Sequence, residues 1–571
     1  VTQQRRSAEF FAEDGVAGFT HRAMTKATGL DDTSLKGPLI GICNTFSELN
    51  NCHSNFRTLC EAVKRGVWQA GGTPVEFPTI SLGETFLAPT SMLHRNLAAM
   101  DTEEMIRAQP IDGVVLLTGC DKTTPAALMG AASADLPAIM LSGGPQINGH
   151  FRGETLGACT DCRRLTAEHR AGEIDDDTYR ALEDGIVRGP GHCMVMGTAS
   201  TMGALTEALG MALPGNAAIP AVDARRLQHA QAVGRRITAM AAEDLRPSRI
   251  LTRAAFENAV TVLSSLGGST NAVVHLPAIA GRAGVELPLE LFDRIGRRTP
   301  ILADMRPAGR YQMQELYHAG GVPALMRRLL PLLHGDALTV TGRTLAEEVS
   351  TARIENDEVI RPLENPVWPH GGIAVLRGNL APDGAVIKHV AAPRERWRHR
   401  GRAVVFDGVD DLKARIDDED LDVDADSVLV LRNAGPVGGP GMPEVGNLPI
   451  PKRLLRQGVR DMVRVCDGRM SGTAFGTVVL HVAPEAAVGG PLALVRDGDE
   501  IELDVPGRSL HLHVDEAELE RRRAEWTPPD PAYRRGYGRI FLDHVEQAPL
   551  GCDFDVLHGR DPAGSYRQPK F

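Results

Sequence analysis

Thr118-Gly119-Cys120-Asp121-Lys122-Thr123-Thr124-Pro125 places a thiol, a carboxylate and an amine side by side. The apolar run Val114–Leu117 ahead of it reads as a buried parallel strand. Ala126–Met129 behind it reads as a helix, with Thr123 or Thr124 as N-cap and Pro125 near the first helical position. Open α/β sheets bind ligands at such a strand-to-helix junction. The positive end of the helix dipole there favours thiolate and carboxylate. Taken alone, the stretch is equally compatible with a surface turn.

Two further thiols stand in similar settings. Cys52 follows the polar turn Asn44–Asn51, where a helix is expected to start. That helix carries an apolar stripe of Phe56, Leu59, Cys60, Val63 and Val67, so Cys60 reads as a core thiol. Cys193 closes the tight turn Gly189-Pro-Gly-His-Cys193 ahead of a helix lined by Ala199, Met202, Leu205 and Leu209. Thiolates of this kind hold iron–sulfur clusters, and three ligands rather than four leave a position open for substrate. Glu84, Asp121, Lys122 and Glu444 occupy comparable Gly-rich turns. Oxygen donors suit Mg²⁺, whereas an unmodified lysine ammonium is no ligand. Spacing alone does not show that either set converges.

Other motifs carry less. Cys159-Thr-Asp-Cys162 lacks the second pair of a zinc site. The glycine–proline loop Arg432–Glu444 lacks the Gly-Lys-Ser/Thr ending of a P-loop. Ser471 lies in a glycine turn without a G-x-S-x-G elbow. The acidic stretch Asp417–Asp426 has no EF-hand spacing and reads as a solvated face.

The elements that must position these residues follow from patterning. A chain of 571 residues exceeds one core, and 43% hydrophobic with 24% charged residues is a globular composition. Runs at Pro38–Cys43, Thr73–Phe77, Val114–Leu117 and Leu136–Ser142, each followed by a loop or helix, predict an N-terminal α/β domain with a mostly parallel sheet. Helical patterns dominate 222–290 and 311–334. The turn-rich Leu363–Gly372 reads as a link, giving domains at 1–366 and 367–571. Beyond it, short runs at Ile373–Leu376, Ala403–Phe406, Val428–Leu431 and Val463–Val465, and a hairpin pattern about Gly498 and Gly507, predict a strand-rich second domain. A charged helix from about Glu516 leads into a C-terminal arm expected to pack on another subunit. A formal charge of −11 argues against nucleic acid as partner. The absence of a long apolar run argues against a membrane. Nine scattered cysteines without a secretory leader point to a reducing cytoplasm.

Several motifs together resemble the dihydroxyacid and phosphogluconate dehydratase family. They are Gly41-Ile-Cys-Asn-Thr-Phe-Ser-Glu-Leu49, Ser81-Leu-Gly-Glu84, the Thr118–Pro125 stretch, Gly267-Gly-Ser-Thr-Asn271, Gly438-Gly-Pro-Gly-Met-Pro-Glu444 and Asp467-Gly-Arg-Met-Ser-Gly472. The Ser-Leu-Gly-Glu loop and Gly551-Cys-Asp-Phe-Asp555 resemble its sugar-acid branch, the arabinonate and xylonate dehydratases. The resemblance implies a swivelling β/α barrel-like second domain. It also implies a 2Fe–2S cluster on Cys52, Cys120 and Cys193, and Mg²⁺ on Glu84, Asp121, Glu444 and Lys122, the lysine as a carbamate. Ser471 matches the proposed base, with Thr473 nearby. The substrate would be an aldonic acid such as L-arabinonate or D-xylonate, and the protein a homo-oligomer, dimer or tetramer. Dihydroxyacid dehydration in branched-chain amino-acid synthesis is the alternative, and a non-catalytic iron–sulfur sensor a third reading. The chain departs from the family at Asn51-Cys52-His53, where Pro-Cys-Asn is usual, and at Cys466, which reads as a tolerated small residue. An anionic ligand set would repel a carboxylate substrate, so a cation is needed, with Arg152 as a candidate.

Overall fold

A computed structural model describes residues 5–158 and 160–560. Four strands, β1 (Leu39–Asn44), β2 (Thr73–Pro78), β3 (Gly113–Thr118) and β4 (Ala138–Ser142), form an all-parallel sheet in the order β2-β1-β3-β4. Every residue of β1, β3 and β4 is buried, as expected where helices cover both faces. The helix Phe56–Gln69 lies against Ala224–Glu243 on a shared pair of glycines. A Cβ on Gly66 would stand 2.0 Å from Gln231 O, and one on Gly234 2.2 Å from Val63 O. The two backbones approach this closely only because neither residue has a side chain. A small antiparallel hairpin, β5 (Gly149–Phe151) and β6 (Glu154–Leu156), lies beyond the sheet.

The second domain is a closed eight-stranded barrel. Its strands are β7 (Ala374–Gly378), β8 (Ala381–Ile387), β9 (Arg398–Asp407), β10 (Val428–Arg432), β11 (Arg464–Cys466), β12 (Val478–Ala483), β13 (Glu500–Asp504) and β14 (Ser509–Leu512). They run in the order β10-β11-β12-β8-β7-β14-β13-β9, with β9, β10, β11 and β12 mutually parallel. Side chains alternate along β7, β8 and β12. Ala374, Leu376, Ala385, Ile387 and Val479 fill the barrel, while Val375, Val386, Val478 and Leu480 join the core of the N-terminal domain. One face of the barrel is thereby cemented to the sheet domain, and active-site residues from both can meet.

Several local expectations need correction. The helix after Cys52 begins at Phe56, so Cys52 lies in a turn ahead of it. The helix Thr123–Ala134 has Lys122, not Thr123 or Thr124, at its N-cap position; the Thr123 hydroxyl instead accepts the Cys120 N–H at 3.2 Å. The hairpin β13–β14 turns at Gly507 alone, while Gly498 leads into β13. The turn-rich segment is itself held in place: Val367 and Trp368 bond to Ile301, and Gly371 to Gly296. The C-terminal arm is also bonded to its own chain, which leaves the expected subunit contact untouched. Arg95 donates to the carbonyls of Gly551 and Cys552, both at 2.8 Å, and Arg282 pairs with Asp553 at 2.6 Å.

Candidate active site

Backbone bonds hold the three cysteine-bearing loops together. Gly191 N–H donates to Asn51 O at 3.1 Å, joining the Cys193 turn to the Cys52 turn. Cys120 N–H donates to His53 Nε2 at 3.1 Å. His53 Nδ1 lies 2.8 Å from Thr45 O. A carbonyl only accepts, so the imidazole carries its proton on Nδ1 and receives the Cys120 amide on Nε2. Burial holds His53 neutral, pushing it down to about 3. His192, next to Cys193, is also buried and pushed down to about 4. Its Nδ1 faces Cys193 O at 3.1 Å, and its Nε2 is buried with no hydrogen-bond partner among the described residues. Replacing Gly119 would crowd Cys52 O and Phe56, each about 3.1 Å from an added Cβ. The remaining thiols lie elsewhere. Cys60 is in the core as expected, Cys466 is buried in the barrel's outer core and accepts the Gly468 N–H, and Cys162 packs among Leu156, Leu165 and Leu182. Cys159 lies outside the described residues.

The carboxylates gather around Lys122. Its Nζ is fully buried, 3.2 Å from Glu84, 3.2 Å from Glu444 and 3.5 Å from Asp121. Burial alone would lower this amine's pKa; Glu444 and Glu84 outweigh it and raise it. Burial likewise opposes the charge on Glu84, yet Lys122 and Arg469 hold it down to about 2. Asp121 goes the other way, pushed up to about 6 chiefly by burial, with the charges of Glu444 and Glu84 adding to it. The Thr90 and Ser91 hydroxyls donate to Glu84.

Besides Lys122, Arg469 brings a cation to this cage; the sequence left the choice of cation open, with Arg152 as one candidate. The buried Arg469 guanidinium reaches Glu444 and Asn271, each at 3.0 Å, and Met442 O at 2.7 Å. Arg152 is instead exposed and stacks on Phe151. Asn271 was also missed as a functional residue. Its Nδ2 donates to Glu444 and to the Thr198 hydroxyl, both at 2.7 Å. Both residues lie inside motifs quoted above, Arg469 in the polar glycine turn Asp467-Gly-Arg-Met-Ser-Gly472, and nothing in those motifs shows that the two meet.

Ser471 enters from the barrel domain, between β11 and β12. Its Oγ is 2.9 Å from Thr473 Oγ1. Gly472 presses the turn against the other domain, where an added Cβ would lie 2.7 Å from Ser269 Oγ and 2.9 Å from Thr198 N. The start of the helix Thr198–Ala208 therefore abuts the serine turn, and its positive end favours negative charge there.

Among the described residues, no three His, Cys, Asp or Glu side chains converge on a single-ion position. Around Lys122 the centre of the carboxylates is taken by an ammonium. A two-iron core divides its thiolates between two irons, so it does not require three sulfurs at one point. The donor chemistry fits both groups: hard oxygens in the cage, and thiols in loops bonded to one another. No helix among the described residues is long and apolar enough to cross a membrane.

Comparison with known proteins matches residues 37–348 to the dihydroxy-acid/6-phosphogluconate dehydratase N-terminal domain and residues 358–552 to the corresponding C-terminal domain. The chain belongs to this dehydratase family. It is thus a hydro-lyase. An L-arabonate dehydratase of Azospirillum brasilense is 56% identical, over 97% of each chain. An L-arabinonate dehydratase of Rhizobium leguminosarum is 51% identical, over 97% of this chain and 96% of its own. A 6-deoxy-6-sulfo-D-gluconate dehydratase of Pseudomonas putida is 49% identical over the same shares. Family members named dihydroxy-acid dehydratase match at 41–44%.

Proposed function

We propose that this dehydratase removes water from an aldonic acid, a pentonate such as L-arabinonate or D-xylonate, to give the 2-keto-3-deoxy acid. The observation that carries this reading is the Asn271 bridge, which joins the wall behind Ser471 to Glu444 in the carboxylate cage. The greater identity to sugar-acid dehydratases than to dihydroxy-acid dehydratases favours the substrate class. Glu84, Asp121, Glu444 and Lys122 as a carbamate would hold Mg²⁺, and Cys52, Cys120 and Cys193 a 2Fe–2S cluster. When bound, these groups supply Lewis acidity toward the substrate's oxygens.

The chain's own residues do the rest. Ser471 Oγ takes the C2 proton as base. The Thr473 hydroxyl lies 2.9 Å away; toward an ionised Ser471, which can only accept, it would donate and hold the serine oxygen toward the substrate. The N-terminus of the helix Thr198–Ala208 lowers the cost of charge on that oxygen. Loss of the C3 hydroxyl leaves an enol, which takes a proton at C3 and becomes the ketone. Arg469 offsets the cage's negative charge, so a carboxylate substrate can approach.

This reading goes with domains at 1–366 and 367–571 and a cytoplasmic homo-oligomer without nucleic-acid or membrane partners. The test is a panel of C5 and C6 aldonates and 2,3-dihydroxyisovalerate offered to anaerobically purified enzyme, with keto-acid formation measured. Faster turnover of a pentonate supports the proposal. Preference for dihydroxyisovalerate moves the enzyme to the branched-chain reaction, and no turnover of any aldonate overturns the proposed substrate class.

A further inference from the structure

The loop from Asn433 to Glu444 brings Glu444 to the cage without regular secondary structure. Two buried carboxylates outside the cage hold its backbone. Asp467 accepts the N–H groups of Asn433 at 3.2 Å and Ala434 at 2.9 Å. Glu485 accepts Val437 N–H at 2.9 and 3.0 Å and Gly438 N–H at 2.9 Å. Both side chains are fully buried, and neither forms an ion pair among the described residues. Gly435 passes so close that a Cβ there would lie 2.6 Å from Glu485 Oε2. Gln547, from the C-terminal arm, completes the arrangement. It donates to Glu485 Oε1 and accepts the Glu485 N–H, each at 2.9 Å.

Buried carboxylates without cations are costly, and the barrel's packing makes no evident use of these two. Asp467 Oδ2 also accepts the Ala486 N–H at 3.0 Å, beside Glu485; the other backbone N–H groups named above all belong to the one loop that must deliver Glu444 from the barrel to a cage built mainly by the other domain. We propose that Asp467 and Glu485, in ionised form, are positioning residues that hang this loop by its backbone amides and set Glu444 for metal binding, with Gln547 locking Glu485. The inference rests on the reading of Glu444 as a Mg²⁺ ligand.

Protonation would cost each carboxylate an acceptor site for the loop's N–H groups. Burial pushes Asp467 up to about 6 against the pull of its N–H donors. Burial, with the charge of Asp467 next, pushes Glu485 up to about 7. The other titratable groups facing the pair are the buried thiols Cys466 and Cys552. Hold on the loop therefore weakens as pH falls through neutrality.

The test is Mg²⁺ binding to the cluster-loaded enzyme by calorimetry, with no turnover involved. Glu485→Gln and Asp467→Asn are each expected to weaken Mg²⁺ about 10- to 100-fold, with cluster absorbance unchanged. Wild-type affinity should fall between pH about 8 and about 6, and Glu485→Gln should lose the part of that fall centred near neutrality. Glu444→Gln separates the two claims. If it binds Mg²⁺ normally, the ligand reading fails; if it does not, while Glu485→Gln keeps wild-type affinity and pH profile, the positioning role fails. Should the Glu485 variant not fold, hydrogen exchange of residues 433–441 in the wild type decides. Protection, corrected for intrinsic rates, that rises with pH through neutrality supports the proposal, and flat protection overturns it.

Discussion

The sulfur-bearing loops and the carboxylate cage are built on opposite principles. The loops belong to the N-terminal domain and are joined through main-chain groups and one neutral histidine, His53. The cage is joined through charged side chains from both domains, Lys122 and Glu444 being 322 positions apart in sequence. Main-chain bonds tolerate most substitutions, because every residue but proline supplies the same amide. Buried ion pairs do not, since removing one partner strands the other. The cage should therefore respond sharply to single substitutions and the sulfur loops weakly, with His53 as the exception.

Four measurements put that contrast to the test. Ser471→Ala should lower turnover by about 10²–10⁴-fold, with cluster absorbance and Mg²⁺ affinity retained; near-normal turnover would remove the serine from the chemistry. Arg469→Met should cost about 3 kcal/mol in denaturant unfolding, because it removes one of the two cations paired with half-buried Glu444; an unchanged midpoint would show that the cage does not depend on Arg469. The third concerns pH. Asp467 and Glu485 titrate above their ordinary values when folded, so each binds its proton more tightly in the folded chain. Their contribution to stability is greatest below the ordinary carboxylate range and declines as pH rises to about 7, by up to about 3 kcal/mol each. The Asp467→Asn, Glu485→Gln double variant should flatten that slope in unfolding curves taken from pH about 5 to about 8. The smallest effect belongs to His53→Ala, which leaves the Cys120 amide without its imidazole acceptor and should cost about 1–3 kcal/mol. It should also hasten cluster loss in air, whereas a cluster as durable as the wild type's would show that the loops need no side-chain tie.

Much of the sheet domain was legible because its strands are continuous apolar runs followed by polar turns, as at Val114–Leu117 before Cys120. The barrel was harder. β8 contains Pro382, Asp383 and Gly384, turn formers that hide a strand whose pairing is supplied by β7 and β12. The bonds of the C-terminal arm to its own chain were not legible because Arg95 and Arg282, which anchor it, come from distant helices. The identities of Cys52, Cys120, Cys193, Glu84, Asp121, Lys122, Glu444, Ser471 and Thr473 came through family resemblance. The structure shows the carboxylates around Lys122 and the two hydroxyls together. Arg469 and Asn271 were illegible for a physical reason. Arg469 lies 198 positions from Asn271 and 379 from Thr90, and only the packed fold makes them neighbours.

In the proposed reaction, dehydration starts at the C2 proton and ends in ketonisation at C3. Proton NMR of the product formed from L-arabinonate in D₂O separates this course from hydrogen migration. One deuterium is expected at C3 of the 2-keto-3-deoxy acid, delivered from solvent to the enol. A product whose C3 carries only hydrogen would mean that the C2 hydrogen migrated without leaving as a proton, and would contradict it.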